Sequence, residues 1–216
     1  MNAPPGPEAA AFLSLKIVVA GGFGAGKTTF IGSISEIPPL TTEEVLTEAG
    51  EPIDSLDGVQ EKATTTVSLD HGRRTLNVPA PMMLSLFGTP GQDRFRFLWD
   101  DLTRGAIGAV VLADTRRLDG SFPSIDYFEE RGVPFVVAVN HFDGHRYRTG
   151  QVRTALGLPD QVPVVDCDAR DFGSALKVLK TLVRHALTTL TSPPPDRHGL
   201  PAGRVAAHPR NQGAPS

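Results

Sequence analysis

Cysteine is nearly absent from this chain of 216 residues: Cys167 stands alone. That excludes an internal disulfide and any metal site built from several thiolates, and it fits a reducing compartment. A basic excess is also missing. Lysine and arginine number 21 against 24 acidic residues, a net charge of −3, so the electrostatic grip that a nucleic-acid backbone demands is not there and that partner class is set aside. No apolar run approaches the ~20 residues needed to span a bilayer. Residues 1–11 carry Pro and Glu where a secretory leader carries basic charge, the closing Gly213-Ala214-Pro215-Ser216 offers no cysteine for prenylation, and Met1-Asn2 does not suit myristoylation. The expectation is a cytoplasmic protein without direct membrane insertion, recruited to a membrane only through a partner. No internal repeat is evident.

What is present begins with Gly21-Gly22-Phe23-Gly24-Ala25-Gly26-Lys27-Thr28-Thr29, directly after the apolar run Leu15 to Ala20. The Gly-x-x-x-x-Gly-Lys-Thr spacing between a strand and a helix is the P-loop pattern. Glycines allow a tight turn whose amides point inward, because Cβ atoms would obstruct both the dihedrals and the approach of a phosphate chain. The helix starting at Lys27 adds its positive end, Lys27 a point charge for the β- and γ-phosphates, and Thr28 a hydroxyl for Mg²⁺.

The remainder alternates strand and helix patterns. Buried strands are expected at Leu15–Ala20, Met82–Phe87, Ile107–Ala113 and Val133–Val139, and a short one at Val162–Val165, from near-continuous apolar runs. Helices are expected at Lys27–Ser35, Ser121–Glu130, Thr149–Leu156 and Asp171–Thr189, the last with apolar residues at helical spacing. Glu36 to Lys62 is long, acidic and aperiodic, a mobile loop in which Thr41-Thr42-Glu43-Glu44 can cap a short helix. Thr64–Asp70 and Thr75–Val78 flank His71-Gly72-Arg73-Arg74 and read as a hairpin, which places an antiparallel strand at the sheet edge. Residues 1–12 read as a loose arm and 192–216, opening near Pro193-Pro194-Pro195, as a disordered proline-rich tail; 13–191 is the single α/β domain. Ligands of doubly wound sheets bind at the carboxyl ends of the strands, where the unusual loops fall.

Three further groups of residues carry chemistry. Asn140-x-x-Asp143 ends a buried strand, and a carboxylate at Asp143 can accept two hydrogen bonds from the guanine edge, a donor pair adenine lacks. Gly88-Thr89-Pro90-Gly91-Gln92 offers an amide at Gly91 for a γ-phosphate and, in Gln92, a side chain to orient the attacking water. One hydroxyl of Thr64-Thr65-Thr66 can complete Mg²⁺ coordination.

Together with Asp168-Ala169-Arg170, these segments look like the five boxes of a GTPase in order. The chain resembles the bacterial Ras-like small GTPases, in particular the conservon-type proteins of actinobacteria and their gliding-motility relatives, over about Leu13 to Leu190. The resemblance implies a P-loop NTPase fold with a doubly wound, mostly parallel six-stranded sheet and one antiparallel edge strand. It implies GTP and GDP as ligands with Mg²⁺, held by Gly22, Phe23, Gly24, Ala25, Gly26, Lys27, Thr28 and Thr29 at the phosphates. It makes Thr66 the γ-phosphate sensor and Mg²⁺ ligand, Gly91 and Gln92 the switch II glycine and catalytic glutamine, and Asp143 the guanine reader. Asn140, His141, Asp168, Ala169 and Arg170 complete the base site. Partners implied are a Roadblock/LC7-type regulator and a membrane sensor kinase.

Three departures from that family's pattern stand out. Gly88 replaces the usual aspartate of switch II, His141 the usual lysine of the Asn-Lys-x-Asp box, and Asp168 and Arg170 flank Ala169 where serine and lysine are usual. Stacking on the base then falls to His141 or Arg170, and Asp114, at the end of a buried strand, is a candidate to orient Mg²⁺-bound water in place of the lost acid. No arginine lies between Lys27 and Arg73, so switch I holds no arginine finger; slow hydrolysis is expected unless Arg94 or Arg96 swings inward. Phe95, Phe97, Leu98 and Trp99 either face effectors or pack the switch II helix. The competing readings are a nucleotide-binding scaffold with negligible hydrolysis and an ATP-dependent P-loop enzyme.

Overall fold

Apolar residues at alternate positions decide the layering. In the computed structural model, which describes residues 13–47, 64–76, 82–91, 93–142 and 144–191, the central strands are β1 (Leu13–Ala20), β5 (Ala106–Asp114) and β6 (Phe135–Asn140). Successive side chains of a strand point to opposite faces. Ile17, Val19, Val110, Leu112, Val136 and Ala138 therefore meet α1 (Lys27–Ile34) and α5 (Phe172–Thr191), through Phe30, Ile31, Ala175, Val178 and Leu182. Val18, Ala20, Ala109, Val111, Val137 and Val139 face the other way, onto α3 (Phe122–Arg131) and α4 (Thr149–Leu156), through Ile125, Phe128, Val152 and Leu156. A strand buried on both faces needs apolar residues throughout, which is why these runs do not alternate in polarity. Each large side chain so enclosed contributes ~1.5–3 kcal/mol of transfer free energy.

The sheet has seven strands in the order β2-β3-β4-β1-β5-β6-β7, with β2 at Leu40–Thr47, β3 at Thr64–Leu76, β4 at Met82–Gly88 and β7 at Val164–Cys167. Neighbours pair in parallel from β4 to β7, and β3 runs against β4 and against β2. This is the expected mostly parallel sheet with one reversed strand, extended by a seventh. From β1 the chain builds one half of the sheet, returns, and builds the other from β5, so the crevice between the halves opens at the carboxyl end of β1. The phosphate-loop motif stands there.

Two expectations about the segment before β4 are corrected. Residues 40–47 form β2, not a loop with a capped helical turn. β3 supplies a ladder partner along the whole segment, Leu40 opposite His71 through to Thr47 opposite Thr64, and threonine and valine suit the pleated surface. The antiparallel strand thus lies one place in from the edge. Residues 48–63 of the presumed switch lie outside the described residues, as do 1–12 and 192–216. The turn expected at His71-Gly72-Arg73-Arg74 is also absent, because β3 runs unbroken to Leu76. Gly72 serves a close approach: a Cβ there would lie 2.6 Å from Ile31 Cγ2 and 3.1 Å from Ser35 Cβ, so the glycine lets α1 lie against β3.

After β4, a 3₁₀ turn (Asp93–Leu98) leads into α2 (Trp99–Thr103). Phe95 and Trp99 are buried while Phe97 is 60% exposed, so packing claims more of this aromatic set than the surface does. Among the described residues no helix is long and apolar enough to cross a membrane.

Candidate functional site: the loop after β1

Three glycines set the shape of the loop. Gly21, Gly24 and Gly26 have φ of 136°, 73° and 100°, which side-chain-bearing residues rarely adopt. At Gly21 the space is missing as well, since a Cβ would lie 2.4 Å from the Leu112 carbonyl oxygen. Lys27 Nζ donates to the carbonyls of Gly21 (2.8 Å) and Gly22 (2.9 Å), and burial lowers its pKa to about 8 against the opposing pull of Asp70. Gly91 closes over the same place: a Cβ on it would sit 2.8 Å from Lys27 Nζ and 3.0 Å from Phe23 Cα. Gly91 and the loop lysine therefore meet.

Thr28 finds an acid that sequence reasoning missed. Its hydroxyl donates to Asp70 Oδ2 at 2.5 Å, from the middle of β3, and Asp70 is 8% exposed. Asp70 also explains Gly88. A Cβ on Gly88 would lie 3.2 Å from Asp70 Cβ and 3.2 Å from Ile31 Cδ1, so the space beside Gly88 is taken by a carboxylate from the adjoining strand. Asp114 is otherwise engaged. Arg116 donates to Oδ1 from its backbone nitrogen and Nε, both at 2.9 Å, and to Oδ2 from its terminal nitrogen at 2.8 Å; Arg117 lies 3.7 Å away. Burial raises the Asp114 pKa, the arginine contacts lower it, and the net shift is downward. Asp114 borders a second cavity, on the flank of the loop, with Gly22, Phe23, Arg117 and Gly120.

The larger pocket, about 190 Å³, is lined by Gly26, Thr29, Arg116, Asn140, His141, Phe142, Asp168, Ala169 and Arg170. Seven of these nine were expected to bind nucleotide, and they come from three separate loops. Asn140, 4% exposed, ties those loops together: its Nδ2 donates to the Ala25 carbonyl at 2.9 Å and its Oδ1 accepts the Ala169 amide at 3.0 Å. Its carboxamide is thereby committed to the protein and positions the pocket. His141 Nε2 lies 3.7 Å from Asp166 Oδ1. Arg170 donates to both oxygens of Asp168, Nε to Oδ1 at 2.9 Å and a terminal nitrogen to Oδ2 at 3.0 Å, which with its backbone amide holds the Asp168 carboxyl at about 2. The pocket wall opposite is the Arg116 guanidinium, 3.6 Å from the centre of the Phe142 ring, a stack that no sequence spacing announces because it joins two loops. Cys167 adjoins this region but is buried, and its thiol is pushed up to about 12, so it has no nucleophilic role at neutral pH.

Gln92 and Asp143 lie outside the described residues. Thr66 is placed by its backbone within β3, opposite Val45, and its side chain is outside the description. Four residues of strand, ~13 Å, separate it from Asp70, so the two are not brought to one point here.

Comparison with known proteins agrees with this architecture. The family model described as "Conserved hypothetical ATP binding protein" matches residues 19–189. An uncharacterized protein of Methanocaldococcus jannaschii is 26% identical over 140 residues, spanning 64% of this chain and 77% of its own. Among solved structures, the FeoB G-domain from Methanococcus jannaschii superposes with a TM-score of 0.54 at 15% identity, covering 82% of this chain and 99% of that one, a likeness of fold. This is the fold of a nucleotide-binding P-loop protein.

Proposed function

We propose that this chain, which belongs to the family described as conserved hypothetical ATP binding proteins, is a guanine-nucleotide switch that binds GTP and hydrolyses it slowly to GDP. The observation that carries the reading is the Asn140 clasp, which fixes a base-sized pocket beside the phosphate loop at the head of the Asn140-x-x-Asp143 motif. Lys27 and the loop amides bind the phosphates, and Gly91, already against Lys27, donates its amide to the γ-phosphate when it is present. A hydroxyl and a carboxylate in contact, Thr28 and Asp70, are hard oxygen donors that suit Mg²⁺ and would hold it. Bound there, the ion supplies charge neutralisation at the β- and γ-oxygens. Gln92 orients the attacking water and Thr66 joins the site once its strand releases it, so residues 36–66 and 88–104 are the switches. The resemblance to conservon-type and gliding-motility GTPases supports a signalling complex in the cytoplasm with a Roadblock/LC7-type regulator and a sensor kinase, the latter bringing the protein to the membrane.

A second reading keeps the fold and changes the base. The matched family is described as ATP binding, and each polar atom of the Asn140 carboxamide already makes one bond to the protein, so discrimination rests chiefly on Asp143. Displacement of a fluorescent GDP analogue from the nucleotide-stripped protein separates the two. GTP is expected to displace it at ~100-fold lower concentration than ATP, and equal or better displacement by ATP overturns the guanine assignment.

The lysine carries a pH signature. Free Lys27 titrates at about 8 because burial disfavours its charge, whereas phosphate oxygens favour the ammonium and raise that pKa in the complex. Binding above pH 8 then takes up a proton. Affinity for GTP is expected to be level below pH ~7 and to fall by up to about tenfold per unit as pH rises past 8. Isothermal titration in two buffers of different ionisation heat reads the proton uptake directly; none at pH 8.5 would contradict it.

A further inference from the structure

We propose that Arg117 supplies the arginine of phosphoryl transfer in cis, from the loop between β5 and α3, a role that rests on the hydrolysis reading above. Its terminal guanidinium nitrogen donates to the Phe23 carbonyl at 3.0 Å, and a Cβ on Gly24 would lie 3.0 Å from the same nitrogen. The cation therefore sits on the apex of the phosphate loop, at the two residues next to which Gly91 and Lys27 meet. The loop holding it is locked to the phosphate loop: a Cβ on Gly22 would lie 3.1 Å from the Gly120 carbonyl oxygen. Arg117 itself is held loosely, 58% exposed and 3.7 Å from Asp114, whose stronger bonds go to Arg116. A rotamer change carries the guanidinium over the apex toward the γ-phosphate without moving backbone.

Two other arginines, Arg116 and Arg96, are engaged elsewhere. Arg116 is committed to Asp114 and stacked on Phe142. Arg96 lies over the Trp99 ring and reaches the Pro123 carbonyl. Among the described residues, Arg117 is the arginine whose guanidinium touches the phosphate loop.

In the step it assists, the water oxygen bonds to the γ-phosphorus as the bond from that phosphorus to the β,γ-bridging oxygen breaks. The electron pair stays on the departing diphosphate and the water proton passes to the released phosphate. Arg117 neither gains nor loses a proton; it offsets charge growing on the bridging and γ-oxygens.

The test is single-turnover hydrolysis of Mg²⁺-GTP and Mg²⁺-ATP with the full chain in excess, for the parent, Arg117→Ala, Arg117→Lys and Arg96→Ala, with GDP affinity and melting temperature measured alongside. Expected is a drop of ~10³-fold for Arg117→Ala, a large loss for Arg117→Lys and a far smaller loss for Arg96→Ala, with GDP affinity and melting of the Arg117 variants within about twofold and a few degrees of the parent. Affinity for aluminium fluoride with GDP, which mimics the transferring group, falls in parallel in Arg117→Ala. Unchanged hydrolysis in Arg117→Ala, or a loss matched by GDP affinity, overturns the role of Arg117 while leaving the switch reading standing. A parent that hydrolyses neither nucleotide overturns both.

Discussion

Asp70→Ala is expected to weaken Mg²⁺-dependent binding of GTP by about 10–100-fold while leaving Mg²⁺-free binding of GDP close to the parent, because carboxylates that orient metal-bound groups carry losses of that size. The contact behind this expectation is the hydrogen bond from Thr28 to Asp70. A merely structural aspartate at this buried point would predict something else, a general fall in stability with no difference between the two nucleotide states. Relocation of the acid distinguishes them. Gly88 faces Asp70 across the β3–β4 ladder with no space for a second side chain, so Gly88→Asp alone sets two carboxylates in contact and destabilises the sheet. Combined with Asp70→Gly, the same Gly88→Asp change returns an acid to Thr28 from the neighbouring strand, and Mg²⁺-dependent affinity recovers. Titration of Mg²⁺ against fluorescent GTP analogues in the four proteins reads both effects; equal Mg²⁺ dependence in Asp70→Ala and the parent would remove Asp70 from the site.

This exchange between strands shows which parts of the site were legible in the sequence. Residues contiguous with a motif were found: Lys27, Gly91, Asn140 and Ala169 stand where spacing alone puts them, since a P-loop and a strand-end loop are local structures. The central strands were legible for the same reason, as continuous apolar runs have few other uses. Asp70 was passed over because its meaning depends on the register of two antiparallel strands, and the misread turn at Gly72 hid that register. Read as one strand through to Leu76, the segment puts its single acid opposite the one missing from Gly88. Strand β2 was hidden differently, since its threonines and glutamates suit a strand only once β3 supplies the ladder. Arg116 on Phe142 and Arg117 on Phe23 are side-chain encounters between loops distant in sequence, and periodicity carries no trace of them.

Gly26→Ala is expected to abolish tight nucleotide binding, by ~10³-fold or more, and to lower the melting temperature by at least about 5 °C. Two costs combine. At φ 100° and ψ 20° the residue is in the left-handed region, where a side chain costs ~1–2 kcal/mol. The new Cβ would also lie 2.5 Å from Asn140 Nδ2, the group that donates to the Ala25 carbonyl. Asn140 cannot retreat cheaply, because its other end accepts the Ala169 amide, and unpairing buried groups costs ~1–3 kcal/mol. At ~2–4 °C per kcal/mol for a domain of this size, the combined ~2–5 kcal/mol is a shift of roughly 4–20 °C, centred above the stated minimum. Gly105→Ala isolates the first cost, since Gly105 has φ 73° with nothing within 4 Å of the added carbon. It is expected to lose only the strain energy and to keep parent-like affinity. The excess in Gly26→Ala then measures the Asn140 clasp, and the affinity loss reports that phosphate loop and base pocket are held in register by that one side chain. Equal melting temperatures for the two variants, with binding retained in both, would show that the loops hold their places without it.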